Sequence, residues 1–342
     1  MPAIEQQMIL SAKDAKDMKN AHGVAVSELL DPENPRENLV GVAQGIKWSN
    51  GQPTGKPALL ALVTQKIDKG DLSKDDLVPA EIAGMKTDVM AVGELFAGQA
   101  EPQQEFETLA LAKRVRPAPG GYSVGHKNIT AGTLGTCVYD RLGDPGDPIG
   151  IPTKYYILSN NHVLANSNNG NVGDSILQPG PFDGGNDPAD RIARLNRFVP
   201  ITFEPPVARA KHRNLVDAAV ADGDFDDLKR EIHWVGHLQG WLPREQIYVG
   251  MQVHKCGRTT NYSLGRITAV QATVDVNYGG GRVARFRDQI ITTNMSAGGD
   301  SGSIVATREG NKAVGLLFAG SSVATILNQI QHVRSLLRIE IV

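Results

Sequence analysis

The chemistry in this chain is read first at Ser296-Ala297-Gly298-Gly299-Asp300-Ser301-Gly302-Ser303. The apolar run Gln289-Ile290-Ile291 leads into it and Ile304-Val305 leads out, which predicts a tight bend between two strands. Small residues at such a bend let backbone N–H groups turn inward, as an oxyanion hole requires. Ser301 is therefore a candidate nucleophile, with the N–H groups of Gly299 and Ser301 as the oxyanion donors. The plain alternative is a glycine-rich turn that happens to contain a serine, as many β-proteins have.

A serine hydroxyl needs a base to become nucleophilic, and the base needs a group to orient it. Of the eight histidines, His162 alone follows directly on a strong strand signal, Tyr155-Tyr156-Ile157-Leu158. Asp217 is a lone acid inside Asn214-Leu215-Val216-Asp217-Ala218-Ala219-Val220. A carboxylate buried there is costly unless partnered, and a histidine Nδ1–H is a suitable partner. The order is His162, Asp217, Ser301. His254 is a rival base, ranked lower because Val253-His254-Lys255 reads as an exposed strand position. His126, His212, His233, His237 and His332 stand in polar or loop contexts and are expected at the surface.

Gly-Gly-Asp-Ser-Gly, a strand-end histidine and Val-Asp-Ala-Ala-Val, in this order, resemble the chymotrypsin-like (trypsin-like) serine proteases. The closer likeness is to bacterial trypsin-like proteins related to the plant NARROW LEAF 1 protein. Leu158-Ser159-Asn160-Asn161-His162-Val163-Leu164-Ala165-Asn166, Gln178-Pro179-Gly180-Pro181 and Gly257-Arg258-Thr259-Thr260 carry it, with Gly45-Ile46-Lys47 and Asn50-Gly51-Gln52-Pro53-Thr54-Gly55 upstream. The resemblance implies two six-stranded β-barrels with His162 and Asp217 from the first and Ser301 from the second. It also implies a primary pocket walled by Met295, Ser296, Ala297 and Gly298 and by Phe318, Ala319 and Gly320. Met295 falls where tryptic enzymes carry an acid, so an apolar or small side chain is expected in the pocket. In secreted members Asp300 pairs with an N-terminus freed by cleavage. No activation peptide is evident in this sequence, which leaves the partner of Asp300 open.

The elements that must position these residues follow from pattern. The 342 residues favour two domains over one. A charged, helix-prone arm (1–20) continues toward Leu30 until Asp31-Pro32 and Asn34-Pro35 break it. Residues 21–98 read as a small α/β domain with strands at Leu39–Trp48, Ala58–Thr64 and Thr87–Val92, and a turn at Asn50-Gly51. No constellation of His, Cys or paired acids appears there, so a structural, docking or oligomerising role is expected. Residues 99–120 read as a linker with a short helix at 105–112. From 121 to 342, short strands separated by turns predict a mainly β protease domain. Its features include a loop at 140–153, a hairpin tip at Tyr278–Arg282 and helical spacing over 323–337. Asp183, Asp187 and Asp190 match no EF-hand spacing and are read as solvated loop acids.

Composition narrows the rest. Lys+Arg 35 against Asp+Glu 37 gives a net charge of −2, which argues for neither a nucleic acid nor a membrane partner. Two cysteines, Cys137 and Cys256, are too few for a disulfide framework, and no signal-peptide h-region is seen, so a cytoplasmic location is the expectation. No metal or cofactor is expected, and a homo-oligomer stays open. Two functions compete. One is a serine endopeptidase acting on protein or peptide substrates. The other is a gated or inactive protease-fold scaffold or binding protein.

Overall fold

Apolar runs bounded by glycine, proline and asparagine become strands along most of this chain, as their β-branched content favours. The computed structural model describes residues 7–49, 52–98, 111–141, 152 and 154–341. In chain order the strands are β1 (Leu39–Ser49), β2 (Gln52–Val63), β3 (Glu81–Ile82), β4 (Met85–Ala91), β5 (Ala118–Gly120), β6 (Ser123–His126) and β7 (Gly132–Thr133). There follow β8 (Thr136–Asp140), β9 (Tyr155–Ser159), β10 (Ser175–Leu177), β11 (Arg191–Phe198), β12 (Ala219–Gly223) and β13 (Leu228–Ile232). The last are β14 (Gln252–Gly257), β15 (Asn261–Asn277), β16 (Val283–Thr293), β17 (Ile304–Thr307), β18 (Ala313–Gly320), β19 (Ala324–Gln329) and β20 (Ile339–Glu340). The helices are α1 (Ala12–Asp17), α2 (Lys19–Leu29), α3 (Asn161–Leu164) and α4 (Ile330–Leu337). The fold is mainly β, as expected.

One sheet runs β20-β8-β9-β12-β11-β10-β6-β7, and His162 follows its strand β9 while Asp217 precedes its strand β12. The other runs β14-β17-β18-β19-β16-β15-β1-β2-β4-β3, and β14 also pairs with β15. Its six strands β14, β17, β18, β19, β16 and β15 therefore close on themselves, which removes their free edges. β15 spans 17 residues and outruns this ring. Its first part pairs with β14, Gln252 opposite Arg266, and its later part takes β1, Gly41 opposite Val274. Strands β1 to β4 thus extend the sheet whose β16–β17 turn bears Ser301.

Packing follows the same continuity. Leu10, Met18, Ala25, Leu29, Val42 and Ile46 share one buried cluster with Val253, Ile267, Ile290, Met295 and Leu327. α2 contributes Ala21, Ala25 and Leu29, a four-residue spacing that puts them on one face. The single helix expected across this region is two, meeting at Met18. β1 and β2 form a hairpin with Ser49 opposite Gln52, while its turn, Asn50-Gly51, lies outside the described residues. The loop expected at 140–153 and the helix expected at 105–112 also lie largely outside them. The helical spacing over 323–337 is corrected in its first half. Residues 324–329 are a strand buried along its whole length between β16 and β18, and only Ile330–Leu337 is helical. Pairing on both edges overrides the local period.

Candidate active site

His162 sits in the short helix α3 directly after β9, and Asp217 precedes β12, which pairs with β9. That pairing brings the two together. His162 Nδ1 is 2.6 Å from Asp217 Oδ2, and the His162 backbone N–H donates to Asp217 Oδ1 at 3.1 Å. A carboxylate only accepts, so the proton lies on Nδ1 and Nε2 is left as the acceptor. Asp217 is fully buried, and its cost is offset by further donors. The Tyr278 hydroxyl donates to Oδ2 at 2.7 Å. Burial, and then the Asp217 charge, push the Tyr278 phenol well above its usual pKa, so it stays a donor. The backbone around Asp217 is pinned from both sheets, since its N–H donates to Asn328 Oδ1 at 2.9 Å and its carbonyl accepts from Asn160 Nδ2 at 2.7 Å.

Ser301 stands on the turn between β16 and β17, close to the seam of the two sheets. Its carbonyl accepts the Thr133 N–H at 2.7 Å, and Thr133 Oγ1 donates to the Gly299 carbonyl at 2.9 Å. The N–H groups of Asp300, Gly302 and Ser303 are taken by the carbonyls of Ala297, Leu317 and Asp300. Those of Gly299 and Ser301 have no partner among the described residues. Thr259 Oγ1 holds the Gly298 carbonyl at 2.7 Å, and in a trans peptide this turns the Gly299 N–H to the opposite side. Gly302, at φ 98°, has no room for a side chain. A Cβ would lie 2.1 Å from Ser159 Oγ and 2.2 Å from the Thr133 carbonyl.

Asp300 is not an orphan. The fully buried Lys255 reaches it, Nζ to Oδ2 at 3.0 Å. Thr260 Oγ1 and the Ala297 N–H also donate to Oδ2, at 2.6 and 3.1 Å, and the N–H groups of Thr259 and Thr260 donate to Oδ1 at 2.8 and 3.1 Å. Both carboxylate oxygens of Asp300 are thereby engaged by groups of this chain. The expectation that Val253-His254-Lys255 is exposed is corrected, because all three side chains are buried in β14. His254 spends its ring on Tyr262 and Asn311 and approaches neither Asp217 nor Ser301.

The pocket residues divide. Met295 is buried, with its sulfur against Gly265 and its carbonyl accepting from Ser263 Oγ at 2.8 Å. Phe318 packs on the Phe286 ring at 4.7 Å inside a core cluster that also holds Ala319. Ser296 Oγ lies 2.7 Å from Thr325 Oγ1 and faces Gly320. The bond from Ser301 Oγ to His162 Nε2 is not made. Nε2 is buried without a hydrogen-bond partner among the described residues. Beside it lies Gly98, placed so that a Cβ there would be 2.8 Å from His162 Cδ2.

Three surface expectations are also corrected. His126 and His212 are buried struts, the first on Asp174 at 3.1 Å and the second between the Val207 carbonyl and the Arg285 N–H. The Asp183 side chain is buried too, bridged to Arg258 by Nε at 2.9 Å and by a second contact through Nη2. Cys137 and Cys256 are unpaired and buried, and burial pushes each thiol up to about 12. Tyr278, Lys255, Thr133 and Asn328 are the site residues that sequence reasoning missed. Thr259 and Thr260 lay in a phrase that the resemblance had singled out.

Over 115 residues the chain is 44% identical to Serine protease 2 of Streptomyces fradiae, a stretch covering 32% of this chain and 55% of that relative. Among solved structures it is similar to Thermobifida fusca Protease A (TM-score 0.44, 16% identity, 66% of this chain and 97% of that one). It is likewise similar to Nocardiopsis protease (TM-score 0.44, 18% identity, 65% and 97%). No family model matches. Among the described residues, no helix is long and apolar enough to cross a membrane.

Proposed function

We propose that this chain is a serine endopeptidase working through an acyl-enzyme. Ser301 Oγ attacks the peptide carbonyl while His162 Nε2 takes its proton. The same nitrogen then protonates the leaving amine, and a water repeats the sequence to release the acid. Asp217 fixes the His162 tautomer and stabilises the imidazolium. The N–H groups of Gly299 and Ser301 receive the oxyanion, each donor contributing about 10²–10³ in rate. The observation that carries the reading is the buried His162–Asp217 pair beside a turn with two uncommitted N–H groups. The relative from Streptomyces fradiae supports it. In this reading the substrate is a protein or peptide, with an apolar or small residue preferred in the primary pocket.

The test is labelling of the full-length protein with a fluorophosphonate, read by intact mass beside a Ser301→Ala variant. One adduct on the wild type and none on the variant is the expected result. Labelling of both, or of neither even after prolonged reaction, overturns the assignment of Ser301. A second reading, a gated or scaffolding form of the same fold, is favoured by the unmade Ser301–His162 bond. Its mark is slow labelling with little peptide turnover.

A further inference from the structure

β18 ends at Gly320 beside the nucleophile turn, for Leu317 of the same strand exchanges backbone bonds with Gly302 and Ser303. A peptide whose carbonyl is to meet Ser301 has to lie along this strand end and then pass His162. Strand addition to an open edge is the usual way an extended peptide is held. Here that edge is taken by the chain itself. The Phe96 N–H donates to the Gly320 carbonyl and the Gly320 N–H donates back to the Phe96 carbonyl, both at 3.1 Å, a two-bond antiparallel pair. On the other side the Ala97 N–H donates to the Asn277 carbonyl at 3.0 Å, and the Asn277 N–H to the Leu95 carbonyl at 2.9 Å. Leu95 and Ala97 are buried in the cluster with Phe286 and Phe318. Two residues beyond Phe96, Gly98 stands over the His162 ring edge, and Nε2 is buried with no partner among the described residues.

We propose that Leu95–Gly98 is a resident strand lying in the peptide groove, so that the protein is self-occluded and turnover begins when this strand leaves. The proposal rests on the endopeptidase reading of the site. It gives a cause for the unmade Ser301–His162 bond, because Gly98 lies against the ring edge beside the nitrogen that must receive the serine proton. A substrate takes over the Gly320 backbone pair that Phe96 now holds, and main-chain pairing at glycine selects for an extended backbone rather than for a side chain.

The experiment uses the full chain and a Phe96→Pro variant, which lacks the N–H that Gly320 accepts. Fluorophosphonate labelling and hydrolysis of an extended peptide library are measured for both, each checked for a native thermal transition. The expected result is at least about tenfold faster labelling and turnover in the variant, as loss of one pairing bond and of strand geometry loosens the occupant. Equal or slower rates in a folded variant overturn the occlusion while leaving Ser301 a nucleophile. Labelling of neither protein overturns the nucleophile reading and the occlusion with it. Should the variant not fold, hydrogen exchange on the wild type decides. Binding of a peptide boronic acid at Ser301 is expected to deprotect the Phe96 and Ala97 amides, and retained protection in the bound protein overturns the proposal.

Discussion

Replacing Lys255 by methionine tests whether the turn that bears Ser301 is held from inside the chain. Lys255 and Asp300 have no exposed side-chain surface, and 3.0 Å separates Nζ from Oδ2. Removing one partner of a buried ion pair costs about 3–5 kcal/mol, since the remaining charge is left in a poor solvent. Asp300 keeps three backbone donors and Thr260 Oγ1, so the lower end, about 3 kcal/mol, is the expected loss. An unfolding entropy of about 2.1 cal/mol/K per residue then gives a fall in Tm of about 4 °C for the whole chain. The Ala297 N–H, one residue from the glycine pair, is anchored on the same carboxylate oxygen, so fluorophosphonate labelling is expected to slow at least about tenfold. A Lys255→Met, Asp300→Asn double variant should regain much of the Tm, because no charge is then buried. Differential scanning fluorimetry and intact-mass labelling measure both effects. A single variant that unfolds within about 1 °C of wild type and labels at the wild-type rate would refute the argument that this pair holds the turn.

Tyr278→Phe removes a 2.7 Å donor to Asp217, a bond to a charged group worth about 1.5–3 kcal/mol, and should lower Tm and slow labelling about tenfold without abolishing it. Gly302→Ala places a methyl 2.1 Å from Ser159 Oγ in a backbone of positive φ, and should lose labelling altogether with a lower thermal transition. Asp174→Asn reports on acid stability. The Asn171 N–H first, then Lys127 and His126, hold the Asp174 carboxyl well below its usual range. A depressed folded pKa stabilises above the unfolded value and is lost as pH falls through the folded one, so the variant should be less stable at pH 7. The gap should narrow below about pH 4 in urea titrations run across pH.

What the sequence showed and what it hid divide by range. Ser301, His162 and Asp217 each sit in a local pattern, a small-residue bend or the end of an apolar run, and a local pattern survives without knowledge of the fold. Lys255 was hidden because alternation in Val253-His254-Lys255 assigns faces only when one side of the strand meets solvent. β14 lies in a closed ring against the Ser301 turn, and the side chains of Val253, His254 and Lys255 are buried on both of its faces. Tyr278 was read as the flank of a glycine-rich hairpin tip, which it is, but its ring turns inward against Phe203 and reaches Asp217 across 61 residues. His126 and His212 were placed outside by their polar neighbours, although each has a partner for both ring nitrogens. The pairing of β1 with the far half of β15 joins residues more than 200 apart, and no period within either strand encodes it.

That long-range pairing also explains why residues 95–98 reach the site. β2 and β4 run parallel, so the chain leaves β4 at the end where Val92 donates to the Val63 carbonyl, and it must then turn back across the sheet. Ser321 Oγ catches the Val92 carbonyl, and the strand settles between Asn277 and Gly320, the ends of β15 and β18. Deleting the first 98 residues would therefore do two things at once. It would bare the β15 edge that β1 covers, with the apolar cluster beneath it, and it would empty the groove. An inactive or aggregated truncation could not distinguish a lost support from a lost inhibitor. A change confined to Phe96 can, because β1, β2 and their core stay in place while the bond to Gly320 is removed. The Phe96–Gly320 pair is thus a place in this protein where support and occlusion come apart.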